Sequence, residues 1–174
     1  SYWVFQGNPD KYDFETAFKE DEKSSWTVTS HKNKIKPGDK VIIWITGSKA
    51  GCYALAEVVS KPLDRATFPE SHYWKAEDKS ELKVAINITH NLADNPILKE
   101  EIDGMKELTN LNVGHQGTNF VATEDEYEAL FKLAMKKEDK RLLTIMEDKK
   151  SDTSKGVNQM NFPLNTIFYG PPGT

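Results

Sequence analysis

Residues 36–62, KPGDKVIIWITGSKAGCYALAEVVSKP, limit most strongly what this chain can become. Pro37-Gly38-Asp39 is a turn cluster. Val41, Ile42, Ile43, Trp44 and Ile45 follow as a near-continuous apolar run. Such a run, without polar alternation, reads as a strand buried on both faces. Residues 47–51, GSKAG, form a loop whose two glycines are free to take positive φ. Residues 53–59 return as a second strand, closed by Lys61-Pro62. The stretch is therefore a β-hairpin, and the rest of the chain reads as strands, helices and loops attached to its sheet.

Residues 2–5 form a further strand, and Trp26-Thr27-Val28 re-enter the core. Leu82, Val84, Ile86 and Ile88 alternate with polar and small residues, the pattern of a half-buried strand. Asp13 is an N-cap for a short helix through Phe14, Ala17 and Phe18. The charged run 19–23 reads as loop or frayed helix, and residues 30–35 as one helical turn. Residues 63–80 have no period and form a long loop holding His72, Tyr73 and Trp74. Loops of that length are often functional. Asn95-Pro96 places a cap and a first-turn proline before a short helix over 97–102. Residues 108–120, rich in asparagine and glycine, read as loop. Thr123 and Glu126 form a capping box. Tyr127, Leu130, Phe131 and Ala134 then recur at helical spacing, and residues 139–146 form a second helical stretch. The fold class is α+β.

The chain has 174 residues and a formal net charge of −4. That balance argues against a tight non-specific nucleic-acid binder, which is ordinarily basic. It leaves room for a local basic face, and His31, Lys32, Lys34, Lys36 and Lys40 cluster in one segment. The ordinary reading of such a run is a solvated loop. No apolar run is long enough to span a membrane, and no signal peptide opens the chain. The single cysteine, Cys52, permits no internal disulfide and reads as a small core residue, in keeping with a reducing, cytoplasmic setting. His31, His72, His90 and His115 lack metal-ligand spacing, so no metal is expected. No nucleophile motif appears, so the chain as given is not expected to be an enzyme.

Residues 149–164 are polar and read as a linker that ends a first domain of residues 1–148. Residues 165–174, NTIFYGPPGT, then open something else. Thr166 to Tyr169 is a short apolar strand. Gly170, Pro171, Pro172, Gly173 and Thr174 match the opening of a phosphate-binding loop, G-x-x-x-x-G-K-[ST]. The lysine and hydroxyl residue that complete it, and that would hold the β/γ-phosphates and magnesium, are not among these residues. The segment resembles the Walker A opening of AAA+ ATPases and GTPases. It implies a motor domain that uses GTP or ATP with Mg, and no cofactor for the first domain itself.

The first domain resembles an EVE domain, a member of the PUA-like superfold related to YTH domains. The residues that carry the resemblance are Tyr2-Trp3-Val4-Phe5 followed by Asn8-Pro9 and Tyr12. Pro37-Gly38-Asp39 then opens a strand. Ala54-Leu55-Ala56-Glu57-Val58 is similar to the family's G-x-A-E-V strand, and Phe120-Val121 with Thr123 to Tyr127 is similar to its closing helix. The chain departs from the family pattern at Gly7-Asn8, where a serine-glutamate pair is usual, and at Tyr53, where glycine is usual. The resemblance covers about residues 2–135. It implies a PUA-like β-barrel of mixed strands with peripheral helices. An EVE-like module joined to an AAA+ motor resembles the McrB-type subunits of modification-dependent restriction systems. That resemblance implies a monomeric module that reads modified DNA, a hexameric motor ring and a nuclease subunit as partner. A modified-RNA reader from the same fold, and a domain that tethers the motor to a protein partner, are the alternatives.

EVE and YTH domains resemble each other in holding a modified base in an aromatic cage. A flipped base loses its stacking, and aromatic faces restore ~1–3 kcal/mol of it. Trp26, followed by Thr27, falls where YTH-like sequences place a cage tryptophan, and Trp74 in the long loop is a natural second wall. Trp44 is a further candidate inside the buried strand. Tryptophan is usually largely buried, so for each the alternative is ordinary core packing. Asn8, at the end of the first strand, offers donors and an acceptor to a base edge. Ser30 and Asn33 are further base-binding candidates, with local capping as the alternative. Lys32, Lys34 and Lys36 are candidates for holding phosphates.

Overall fold

A computed structural model describes residues 1–156, with side chains as far as Lys149. The chain divides into two units, residues 1–134 and 135–174. Gly170 to Thr174, the strand 166–169 and the linker beyond residue 156 lie outside the described residues.

In the first unit, strands β1 (Tyr2–Gly7), β2 (Ser25–Val28), β3 (Lys40–Ile45), β4 (Gly51–Val58), β5 (Leu63–Asp64), β6 (Leu82–Asn91), β7 (Ile97–Leu98) and β8 (Asn119–Ala122) form one sheet. Its order is β2-β6-β4-β3-β1-β8, with β5 on β6 and β7 on β4. β1 and β3 run parallel, and the other pairs are antiparallel. Short helices α1 (Phe14–Lys19) and α2 (Lys99–Ile102) sit at the periphery. Helix α3 (Glu124–Gly156) starts in this unit. This is the curled, PUA-like α+β half-barrel with mixed strands and peripheral helices.

The expected hairpin is β3–β4, and its two-sided burial is explicit. Val41, Ile43 and Ile45 enter one core with Trp3, Phe5, Phe14, Phe18 and Trp26. Ile42 and Trp44 enter a second core with Val4, Leu55, Tyr127 and Leu130. Trp44 is 1% exposed there. Cys52 lies in the same second core, where burial pushes its thiol up to about 12 and leaves it inert.

Asp13 caps α1, its carboxylate accepting from the Thr16 N–H at 3.2 Å. The Thr123–Glu126 box is reciprocal: the Thr123 N–H donates to Glu126 Oε1 at 2.8 Å, and the Glu126 N–H to Thr123 Oγ1 at 3.1 Å. Four elements differ from the sequence reading, the first being β5, where Leu63 and Asp64 pair with Lys83 and Leu82 instead of opening a loop. Ile97 and Leu98 are strand rather than the start of a helix, because they pair with Gly51 and Cys52. The close approach depends on Gly51, where a Cβ would stand 2.4 Å from the Ile97 carbonyl oxygen. Asn119 to Ala122 form β8 on β1, where the sequence reads loop as far as residue 120. Helix α3 also continues through residues 149–156 without the expected break.

The path from β2 to β8 is closed by one side chain. The carboxamide of Asn119, 1% exposed, accepts from the Thr29 N–H at 2.8 Å and donates to the Thr27 carbonyl at 3.0 Å. Ser30 Oγ donates to the Asn119 carbonyl at 3.0 Å. Asn119→Ala strands these backbone groups, so it is expected to lower stability by about 2–3 kcal/mol. Chemical denaturation with an unchanged midpoint would contradict that closure.

In the second unit, Leu142, Leu143, Ile145 and Met146 are exposed. No helix of the described residues is long and apolar enough to cross a membrane.

Candidate nucleic-acid interface

A cavity of about 550 Å³ opens at the C-terminal end of β1. Asn8, Trp26, Thr27 and Trp74, each expected at the site, all line it. Four segments distant in sequence build it.

The first is the turn after β1. Asn8 sits exposed on the rim, and its Oδ1 accepts from the Asp10 N–H at 2.9 Å. One lone pair of its oxygen is therefore taken by the turn, and the other together with its amide N–H groups remains suited to a ligand. The second segment is β2, which presents Trp26 to the cavity from the core. Trp26 is 3% exposed. Its ring stacks on Phe14 at 5.2 Å and on Phe5 at 6.3 Å. The aromatic wall is thus also a core residue.

The third segment is the connection from β5 to β6. Tyr12 and Trp74 form a β-bridge, flanked by the Asp13 N–H donating to the Tyr73 carbonyl and the Lys75 N–H donating to the Lys11 carbonyl, both at 2.8 Å. That short ladder carries the half-buried Trp74 ring to the cavity, edge-on to Tyr12 at 5.0 Å. Trp74 Nε1 is buried and has no hydrogen-bond partner.

The fourth is loop 114–118, which the sequence marked only as loop. Gln6 holds it. Gln6 Nε2 donates to the carbonyls of His115 and Gly117 at 2.6 and 3.2 Å, and Gln6 Oε1 accepts from the Gly114 N–H at 2.7 Å. The Gln6 backbone N–H donates to the Thr118 carbonyl at 2.8 Å. Gly114 and Gly117 have φ of 81° and 140°, which glycine tolerates and other residues rarely do. The signal available in sequence was a polar amide interrupting an otherwise apolar strand, paired with a glycine-rich loop.

The residue least visible in sequence is Lys23. It came from a charged run, yet its ammonium lies 4.2 Å from the centroid of Tyr12, 4.9 Å from Trp26 and 5.8 Å from Phe14. Burial lowers its pKa to about 7, with repulsion from Lys83 adding to the effect and Asp78 opposing it. Lys83 is itself buried, paired with Asp78 at 2.8 Å, and stands 5.5 Å from the Trp74 ring. Among the described residues, the cavity wall carries Lys11, Lys23 and His115 but no carboxylate. In a chain of net charge −4, that local excess favours an electron-rich or anionic ligand.

The other expected residues lie elsewhere. Trp44 is in the second core, because the pleat of β3 turns it away from Trp26. Ser30 closes the barrel through Asn119. Asn33, Lys32, Lys34 and Lys36 are exposed on the segment after β2 and do not line the cavity.

Residues 1–133 match the EVE domain family, and the chain belongs to it. No curated protein matches it. Several solved structures share the fold. A hypothetical protein from Leishmania major has a TM-score of 0.57 at 20% identity, over 79% of this chain and 96% of that one. The human THYN1 protein in complex with 5-methylcytosine-containing DNA has a TM-score of 0.50 at 12% identity, over 77% and 97%. The Mmi1 YTH domain in complex with RNA has a TM-score of 0.54 at 18% identity, over 80% of each chain.

Proposed function

We propose that the first unit binds nucleic acid and recognises a modified base, in DNA by preference, flipped into the cavity between Trp26 and Trp74. One observation carries this reading: four of the seven base-binding candidates, Asn8, Trp26, Thr27 and Trp74, line one cavity. Its volume of about 550 Å³ lies in the range of small-ligand sites. Aromatic walls reward a base that has left its stack, and a buried methyl adds roughly 0.8 kcal/mol. The THYN1 and Mmi1 complexes, of the same fold, bind methylated DNA and RNA. They support nucleic acid as the ligand class. The phosphate-loop opening at residues 170–174 supports a downstream AAA+ motor of a restriction system, to which the module would deliver modified DNA.

Titration of the protein with modified and unmodified DNA and RNA oligonucleotides tests the reading. Tighter binding of a modified DNA supports it. A preference for RNA moves it to the RNA alternative. Absence of binding to every oligonucleotide would leave the tethering role.

Lys32, Lys34 and Lys36, exposed and outside the cavity, would hold phosphates rather than read a base. Lys34→Ala is therefore expected to weaken modified and unmodified DNA alike, by a few-fold. It should also reduce the slope of log K against log salt by about 1. A loss confined to the modified oligonucleotide would assign Lys34 to base reading instead.

A further inference from the structure

Two donors of the cavity have no directional acceptor on the protein. The Lys23 ammonium carries three donors, and it rests against ring faces in the free protein. Ring faces attract a cation but do not replace directional acceptors. The nearby carboxylate of Asp78 is taken by Lys83. Lys23 is half-buried, whereas Trp74 Nε1–H is a buried donor without a partner. Gln6 spends its amide on loop 114–118, and one lone pair of Asn8 Oδ1 is held by its turn. A ligand that satisfies this cavity must bring acceptors.

A base entering over Trp26 also meets Lys23 in its path. Ammonium and base cannot share the same ring face. The flexible four-carbon stem allows the ammonium to move from the face of Trp26 to the edge of the incoming ring. There it meets whatever that edge presents. Guanine presents O6 beside N7, thymine presents O4, and cytosine presents O2 beside N3. Adenine has no carbonyl: its acceptors are single ring nitrogens, and on the N1 and N7 edges the exocyclic amine beside them sets N–H against the ammonium's N–H, so a lysine pairs better with guanine's O6 and N7.

We propose that Lys23 is the specificity-determining residue of this cavity, donating to a base carbonyl and so selecting carbonyl-bearing bases, modified cytosines among them, over adenine and its N6-methyl derivative. The inference rests on the reading of the cavity as a base site, and narrows it to one class of base. The lowered pKa of Lys23 adds that the donor loses its charge within the working range of pH.

The test uses the whole chain and single-stranded oligonucleotides of fixed flanks. The central base is 5-methylcytosine, thymine, guanine, adenine or N6-methyladenine. Wild type, Lys23→Met and Trp74→Ala are compared by fluorescence anisotropy at pH 6.5. Wild type is expected to bind the carbonyl-bearing set roughly ten- to a hundred-fold more tightly, the worth of a charged hydrogen bond. Lys23→Met, which keeps the stem, should level the two sets. Its binding should be flat between pH 6 and 8.5, whereas the wild-type preference fades as pH rises. Lys83, Asp78, Lys11, His115 and Tyr12 also face this region, and Asp21, Glu22, Glu70, His72 and Tyr73 share a second cavity with Lys23, so any pH dependence left in Lys23→Met belongs to them. A Lys23→Met protein that keeps the wild-type ranking, or a wild type that prefers the adenine set, overturns the inference while the base site stands. Failure of wild type to bind any oligonucleotide, or Trp74→Ala binding like wild type, overturns the base site and the inference with it.

Discussion

Trp26→Ala is expected to melt far below the wild type, by roughly 10–20 °C, and to lose nucleic-acid binding along with stability. The ring is 3% exposed and stacks on Phe14 and Phe5. Its removal opens a large void beneath the cavity. Trp→Ala changes in such settings cost about 3–5 kcal/mol, which for a domain of this size is a fall of that order in melting temperature. A variant that melts within a degree or two of wild type would mean the ring bears little of the core.

Binding by that variant alone cannot separate wall from core, because the same ring is both. Trp74 separates them. It is half-buried and is positioned by the backbone bridge to Tyr12, which alanine preserves. Trp74→Ala should therefore fold with a modest loss of stability. Its affinity for the modified oligonucleotide should fall by ~1–3 kcal/mol, roughly 5- to 150-fold. Unchanged affinity would remove Trp74 from the site.

The hairpin was legible because two-sided burial writes itself into consecutive residues: 41–45 have nowhere to alternate. The caps at Asp13 and Thr123 were legible because a cap is a local contact, satisfied within three residues. Strands β7 and β8 were not. Each is too short to show a period, and each exists because a distant strand supplies its partner. The site divides in the same way. Trp26 was marked because it falls where YTH-like sequences place a cage tryptophan, and Trp74 because it lies in a long connection beside the sheet; both line the cavity. Lys23 was missed because nothing in its charged surroundings reports that Tyr12, Phe14 and Trp26 close over it. Gln6 and loop 114–118 were missed because their contact spans more than a hundred residues. Trp44 was included among the candidates because residue type alone does not reveal which face of a fully buried strand it takes.

Lys23→Met is expected to make the free protein more stable than wild type at pH 6, and the advantage should shrink as pH rises toward 10. In the unfolded chain Lys23 keeps its proton to its ordinary 10.5, and in the folded protein only to about 7. Between those values the unfolded state binds more protons, so the wild type gains stability with rising pH. Below about 7 the cost of holding a buried ammonium is present in full, and above the unfolded pKa it is gone. Solvent reaches part of the side chain, and the ring faces return part of the lost hydration. The expected difference at pH 6 is therefore about 2 kcal/mol, less than the full shift would give. Denaturation of both proteins at pH 6, 7.5 and 9.5 gives the comparison, because groups common to the two cancel in the difference. A gap that stays constant over that range, or a wild type that is the more stable at pH 6, would show that the ammonium is not buried among the rings. A charge that weakens the free protein needs a compensating use, and acceptors brought by a ligand would supply one. Bound oligonucleotide should therefore stabilise the wild type more than it stabilises Lys23→Met.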